Sequence, residues 1–334
     1  MASMIVVRTT HRAASVILGA ALIAAAPAAA QPRAEYAWTK VIDAAPYRGS
    51  YNFPMFVVRG QMWAFMSEAG NWRSEDAKRW TKSVLPPSGL NSAYQKYVQF
   101  NNAVYALGTM TGNYLDLRLT SRIMRTTDFA RWDVVAAESN LPKRVLYGAV
   151  VHGGKIWLMG GYDGAKYYDD VWSSPDAVRW TRVVEHAGWS PRNVDMAVSF
   201  KNRLWIIGGG VIDGERDPYP NSKRETWSSD DGVRWSRAPD RSGPAWGGMP
   251  AVFDGRIWLV GANRNSTFAP SSLVSEDGIT WRDVNAPWSP RGSPAVWVVG
   301  DKLYMTGGKY SVQVNGHPQF SYRNDVWYMS RTGK

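Results

Sequence analysis

Three arginines recur at one place in a repeating pattern. Arg144, Arg192 and Arg291 each stand eight residues before the end of a short apolar run, at His152, Phe200 and Val299. Arg48, offset by two residues, lies in the corresponding stretch nearest the N-terminus. A guanidinium is a planar fork of donors that can grip two oxygens of a carboxylate or sulfate at once. Equivalent arginines pointing at one axis would therefore make an anion site. Aromatic side chains able to stack on sugar rings fall in the same stretches or just after the apolar runs: Tyr51, Tyr94, Tyr147, Tyr162, Trp246 and Tyr310. The ligand-binding set expected from this pattern is Arg48, Arg144, Arg192, Arg291, Tyr51, Tyr94, Tyr147 and Trp246. The same arginines could instead brace neighbouring loop carbonyls, and the aromatics could pack loop on loop.

Proton-transfer groups are scarce around these positions. Glu68, Asp163 and Asp195 are the candidate general acids or bases, with Asp217 a further carboxylate and Tyr167 or His317 as helpers. No spacing joins any two of them into a pair, and each could equally be a solvated loop charge. His152 and His186 are weaker candidates still, since His152 aligns with apolar strand positions and reads as a satisfied core or turn residue. Asp169-Asp170 resembles a cation site, but Asp170 aligns with Asp325 at the start of a strand and reads as structural. No His, Asp and Glu set has metal-ligand spacing, no Gly-rich phosphate loop is present, and the chain has no cysteine. Thiolate metal sites, cysteine nucleophiles and Cys-linked radical cofactors are thereby excluded, and no cofactor or metal is expected.

The elements that must position these residues repeat about every 50 residues. Each unit offers an apolar strand, a short polar turn and a second apolar strand ending in Gly. Gly148–His152, Gly153-Gly154 and Ile156–Gly161 are one instance. A third strand follows, then a turn with Ser or Thr, Asp two residues on and Trp four later. It reads Ser74, Asp76, Trp80; Thr126, Asp128, Trp132; Ser174, Asp176, Trp180; Ser229, Asp231, Trp235; and Ser275, Asp277, Trp281. In such a turn Asp bonds local amides, and Gly232 or Gly278 supplies positive φ. Repeats of this length with several short strands each predict a β-propeller.

Six inner strand pairs predict six four-stranded blades, at about 44–87, 88–139, 140–189, 190–243, 244–288 and 289–334. The last lacks an outer strand, and Trp38-Thr39-Lys40-Val41-Ile42 matches Trp180-Thr181-Arg182-Val183-Val184. Residues 36–43 are therefore expected to pair with 325–331 and close the ring. The turns within strand pairs are short, whereas the connections between second and third strands and between blades vary in length. Those two variable sets share one face, where binding is usually built.

Residues 1–30 read as a secretory signal: Arg8, His11 and Arg12, an apolar run from Ala13 to Ala26, and Ala28-Ala29-Ala30 as a cleavage site. A periplasmic or secreted protein with no stable membrane span is expected. The net charge is +11, of which Arg8 and Arg12 belong to the leader. A basic balance suits anionic partners, or serves solubility alone. No long Lys/Arg run marks a nucleic-acid groove, and none is expected to bind.

The paired Gly after the second strand and the aromatics beyond it resemble Kelch repeats, the blades of galactose-oxidase-like propellers. The resemblance runs over essentially the whole chain after the leader. Ser229-Asp230-Asp231-Gly232-Val233-Arg234-Trp235 also resembles the Asp-box turn of sialidases, though one residue shorter between Asp and Gly; in that family the turn is structural. The radical site of galactose oxidase itself needs a Cys, which this chain lacks. A distant resemblance to the exported bacterial sialic-acid mutarotase group implies a metal-free six-bladed propeller, with no motif that carries its catalytic groups onto these residues. Three functions fit. The first is a monomeric module binding a small anionic or carbohydrate ligand on the variable face. The second is a metal-free sugar mutarotase, epimerase or lyase acting on an acidic sugar. The third is a cell-envelope protein-interaction scaffold.

Overall fold

The computed structural model describes residues 35–66, 70–113, 116–211, 223–239, 247–261, 263–264, 267–315 and 317–333. The expected signal segment, and with it Ala30, lies outside them. Among the described residues the regular elements are all strands, arranged as six four-stranded antiparallel sheets and two short hairpins. Strands a to d, from the axis outwards, are Gly148–His152, Lys155–Met159, Val171–Ser174 and Thr181–Val184 in blade 3. Strand a is Met55–Val58 in blade 1, Lys96–Phe100 in blade 2, Ala197–Phe200 in blade 4, Met249–Phe253 in blade 5 and Ala295–Val299 in blade 6.

Blade 6 is completed by Tyr36–Ile42, which pairs antiparallel with Val326–Arg331 from Tyr36 opposite Arg331 to Ile42 opposite Val326. The closing strand is fastened to blade 5 as well. Glu35 pairs with Arg256 at 2.9 Å, Arg331 at 3.1 Å and Arg282 at 3.2 Å. The Tyr36 ring meets Trp258 edge-on at 4.9 Å, and its hydroxyl donates to Asp254. Burial, then that bond, push the Tyr36 phenol up to about 12.

The outer turns explain how the blades stack. Asp76 Oδ1 accepts from the amides of Lys78 at 2.9 Å and Arg79 at 2.8 Å, and Asp128, Asp176, Asp231 and Asp277 do the same in their own turns. The residue after each Asp has a left-handed backbone, in Ala77, Phe129 and Ala177 as much as in Gly232 and Gly278. That position receives a strand-b aromatic of the preceding blade: Trp63 stacks on Phe129 at 5.0 Å, Trp157 lies on Gly232 and Trp205 on Gly278. A Cβ at Gly232 would stand 2.0 Å from the Trp157 ring. Glycine there answers packing as well as backbone conformation.

The b–c connections differ from the loops expected for them. In blade 2 both strands run 11 residues, Ala103–Asn113 and Asp116–Thr126, into a projecting ribbon. Blade 6 inserts a separate hairpin, Lys309–Val314 with His317–Tyr322, and blade 5 a smaller one, Asn263–Arg264 with Thr267–Phe268.

Candidate functional site

The expected arginine rim is not assembled. Arg291 is fully buried and donates from Nε to the Ser289 carbonyl, from Nη1 to the Gly307 carbonyl and Asp325, and from Nη2 to Ser289 Oγ and Asp325. All of its N–H donors are spent inside the protein. Arg192 repeats the arrangement with Ser190, the Gly208 carbonyl and Glu225. Arg144 grips Asp170 through both terminal nitrogens, donates to the Gly160 carbonyl and lies 3.4 Å over the Tyr168 ring. In each case the acid also accepts from the indole two residues on: Trp172, Trp227 or Trp327. The guanidinium thus ties the interblade loop to the Gly turn ending strand b and to the start of strand c. Burial alone would raise Asp325, but the Arg291 bonds and charge hold its carboxyl below the ordinary range.

Other expected site residues are dispersed. Tyr147 is fully buried, with its hydroxyl donating to the Leu107 carbonyl, so it offers no ring to a ligand. Tyr94 is half-buried against Met110, Val145 and Leu146, and Arg48 is exposed. Asp163 closes its own loop, accepting from the amides of Ala165 and Lys166 and from the Tyr168 hydroxyl. Burial opposes ionisation of Asp163, and those bonds together with Arg144 outweigh it, leaving its pKa lowered. Tyr162 packs on Tyr167, and Tyr310 on Phe268. His152 shares a 2.8 Å bond with Ser199 Oγ, and His186 meets Asp169 at 3.1 Å. Glu68, Asp217 and Trp246 lie outside the described residues. Among the described residues no three His, Asp or Glu side chains gather into a metal set.

What the fold does assemble lies on the axis. A cavity of about 240 Å³ is lined by Met55, Tyr97, Ala149, Ala197, Pro250 and Val296, the equivalent strand-a residue of all six blades, and by Asn52, Ser92, Gln95, Lys96, Asp195 and Met249. Lys96 of blade 2 reaches across blade 3 to Asp195 of blade 4, with Nζ to Oδ1 at 3.0 Å and side chains only 17% and 13% exposed. Blade 3 puts only the small Ala149 into the cavity between them, and Gly148 beside it lets blades 3 and 4 close up, since a Cβ there would come within 2.9 Å of Val194. The charged pair and Asn52, Ser92 and Gln95 contribute polar groups to this cavity, and Met55, Met249, Pro250 and Val296 contribute apolar ones.

The mouth of this cavity is braced by the interblade loops. The Asn52 amide donates to the Ser293 carbonyl at 2.7 Å and Ser293 to Gly247 at 2.7 Å, while Val194 donates to Leu146 at 2.9 Å and Leu146 to Tyr94 at 3.1 Å. Asn52 Nδ2 donates to the Ala93 carbonyl. Buried backbone groups bonded from blade to blade set the lip rigidly. Of the expected carboxylates that lie among the described residues, Asp163 and Asp195, it is Asp195 that lines this cavity.

Lys96, Asn52, Ser92, Gln95, Met55 and Met249 escaped the sequence reading. A usable signal existed: Lys96 at the start of one innermost strand and Asp195 two residues before another put charge among mostly apolar or small residues.

A Kelch motif model matches residues 143–173, the stretch holding Arg144, the Gly160-Gly161 turn, Asp170 and Trp172. The Kelch repeat protein M-T8 of Myxoma virus is 27% identical over 164 residues, 47% of this chain and 30% of that protein. The Kelch repeat and BTB domain-containing protein 1 of Ectromelia virus is 24% identical over 261 residues, 75% of this chain and 44% of that protein. The matched stretches span less than half of these viral relatives. The solved structure of YjhT superposes with a TM-score of 0.65 at 13% identity, covering 86% of this chain and 96% of that one. With six four-stranded blades, the chain is a six-bladed β-propeller that carries a Kelch motif in its third blade and is similar to Kelch-repeat proteins.

Proposed function

We propose that this propeller is an exported binding module that takes a small neutral carbohydrate in its axial cavity. The observation that carries the reading is the Lys96–Asp195 pair, held in a cavity to which every blade contributes a wall residue. Each charge compensates the other, so an anion bound to Lys96 would leave Asp195 uncompensated and partly desolvated, which is costly. A hydroxyl-rich ligand avoids that cost: one hydroxyl accepts from the ammonium while another donates to the carboxylate. The apolar wall of Met55, Met249, Pro250 and Val296 suits the C–H face of a sugar ring. Saturation of the clamp arginines removes the support for a strictly anionic ligand.

An enzymatic variant of this reading centres on Asp195, the candidate carboxylate in the cavity, as the group that would exchange a proton with a bound sugar.

Isothermal titration of neutral and acidic monosaccharides against the protein and its Lys96→Met and Asp195→Asn variants tests the reading. Saturable binding of neutral sugars, weakened about tenfold or more in both variants, is expected. Binding of acidic sugars alone, or binding indifferent to both substitutions, would overturn it.

A further inference from the structure

The hairpin inserted in blade 6 carries a feature that the axial cavity does not use. On one face Tyr310 leans on the buried Phe268 of the blade 5 hairpin, with ring centroids 6.4 Å apart. On the other face Phe320 and Tyr322, two residues apart on one strand, lie 6.4 Å apart with planes inclined by 18°. Tyr51, from the loop between the closing strand and blade 1, continues the row: its ring is 5.6 Å from Tyr322 and inclined by 20°. Three near-parallel rings therefore form a row that begins beside the cavity, because Tyr51 directly precedes Asn52, which lines it. Phe320 and Tyr322 are 39% and 45% exposed.

Lys309 fixes this row. It faces Tyr322 across the hairpin and is buried, with its ammonium 4.9 Å from the Tyr51 centroid and 5.3 Å from that of Phe320. The cation holds two rings by their faces, so the row is set before any ligand arrives. Its charge is sheltered, which leaves an aromatic surface, with Ser311 on the same hairpin face as Phe320. An aromatic row beside a cavity, partly exposed at Tyr51 and exposed at Tyr322 and Phe320, marks a binding region. Its shape, a single row of rings at about the spacing of successive sugar units, fits a glycan chain better than a protein partner, which needs a broad patch.

We propose that Tyr51, Tyr322 and Phe320 form a ledge for the second and third units of a neutral oligosaccharide whose terminal unit occupies the axial cavity. This rests on the proposed sugar site in the cavity. It assigns the protein to recognition of chain ends, since the cavity admits one unit and the ledge guides the next two.

The test compares affinities for mono-, di- and trisaccharides of neutral gluco-, manno-, galacto- and N-acetylglucosamine series, using the intact protein, Phe320→Ser/Tyr322→Ser and Lys96→Met. Phe320 and Tyr322 sit on an exposed insertion, and an unchanged melting curve will show that the variant folds. In the unaltered protein the trisaccharide should bind about tenfold more tightly than its monosaccharide, and in the ledge variant that ratio should fall to about one. The Lys96→Met variant should weaken both ligands and keep the ratio. A ratio near one in the unaltered protein, or one that the ledge variant leaves intact, overturns the ledge while sparing the cavity. A trisaccharide gain lost in the ledge variant but indifferent to Lys96→Met overturns the cavity as the anchor of the chain end. Failure of every sugar, with a glycan-free envelope protein captured through Phe320 and Tyr322, would overturn both.

Discussion

Replacing Arg291 by Met separates a structural clamp from a ligand contact. The side chain is 0% exposed and its partner Asp325 16% exposed. The bonds lost are two to the carboxylate, at 2.5 and 2.8 Å, one to the Gly307 carbonyl at 3.0 Å, and two to Ser289 at 3.0 and 3.1 Å. Asp325 would keep the Trp327 indole at 2.7 Å, which cannot balance its charge. Removing one partner of a buried pair costs about 3–5 kcal/mol; methionine refills much of the volume, so about 4 kcal/mol is expected. An exposed ligand-binding arginine would cost about 0.5 kcal/mol or less.

Urea denaturation followed by tryptophan fluorescence measures this loss. The Arg291→Met/Asp325→Leu variant should recover at least half of it, because no unpaired charge remains. The pH dependence has a definite sign. Asp325 is held below its ordinary range in the folded protein, so its contribution is present above the unfolded carboxylate pKa and lost as pH falls through the folded one. Without Arg291 the carboxyl is easier to protonate, and the gap between the two proteins should narrow from pH 6 towards pH 3. A loss under about 1 kcal/mol at neutral pH, or a double variant no better than the sum of its singles, would refute the clamp.

Three further outcomes rest on the same geometry. A Cβ at Gly278 would stand 2.6 Å from the Trp205 ring at φ +80°, whereas Gly255, at φ +69°, has open space around it. Gly278→Ala should therefore cost about 2–4 kcal/mol and Gly255→Ala about 1–2 kcal/mol, read from urea midpoints; equal losses would remove the interblade contact as a source of stability. The amides of Arg79 and Lys78 hold the Asp76 carboxyl down at about 2, and at Asp176 the corresponding amides and Arg179 outweigh burial to reach about 2. Their stabilisation is present above pH 4 and lost towards pH 2, so stability should drop less steeply with acid in Asp176→Asn, and an unaltered slope would contradict this. Deleting residues 31–43 removes the strand paired with Val326–Arg331 and bares that edge; light scattering should report aggregation, and a monomer with unchanged melting temperature would refute the closure.

The fold was legible because its signals are local. Strand alternation, Gly-ended second strands and the Ser-x-Asp turns are each set within a few residues, and the match of Trp38-Thr39-Lys40 to Trp180-Thr181-Arg182 revealed the closing strand. The site was less legible because its partners lie far apart in sequence. Spacing found Arg144, Arg192 and Arg291 but not the acids 26, 33 and 34 residues on that absorb them. The acid-x-Trp pattern at the start of strand c carried that information and could have been joined to the arginines. Lys96 and Asp195 are 99 residues apart and meet only once a ring places blades 2 and 4 around a small-residue blade 3. The aromatic ledge depends on the blade 6 hairpin, for which Asn315-Gly316 after an alternating run was a readable sign.

Methyl NMR of the methionines addresses the axial sugar site most directly. Met55 and Met249 line the cavity, while Met159 and Met329 are buried within blades away from it. On titration with a neutral monosaccharide, occupation of the cavity predicts saturable shifts of the Met55 and Met249 methyls, little change at Met159 and Met329, and loss of the response in Lys96→Met. Binding that leaves Met55 and Met249 unmoved would place the ligand elsewhere and contradict the axial site.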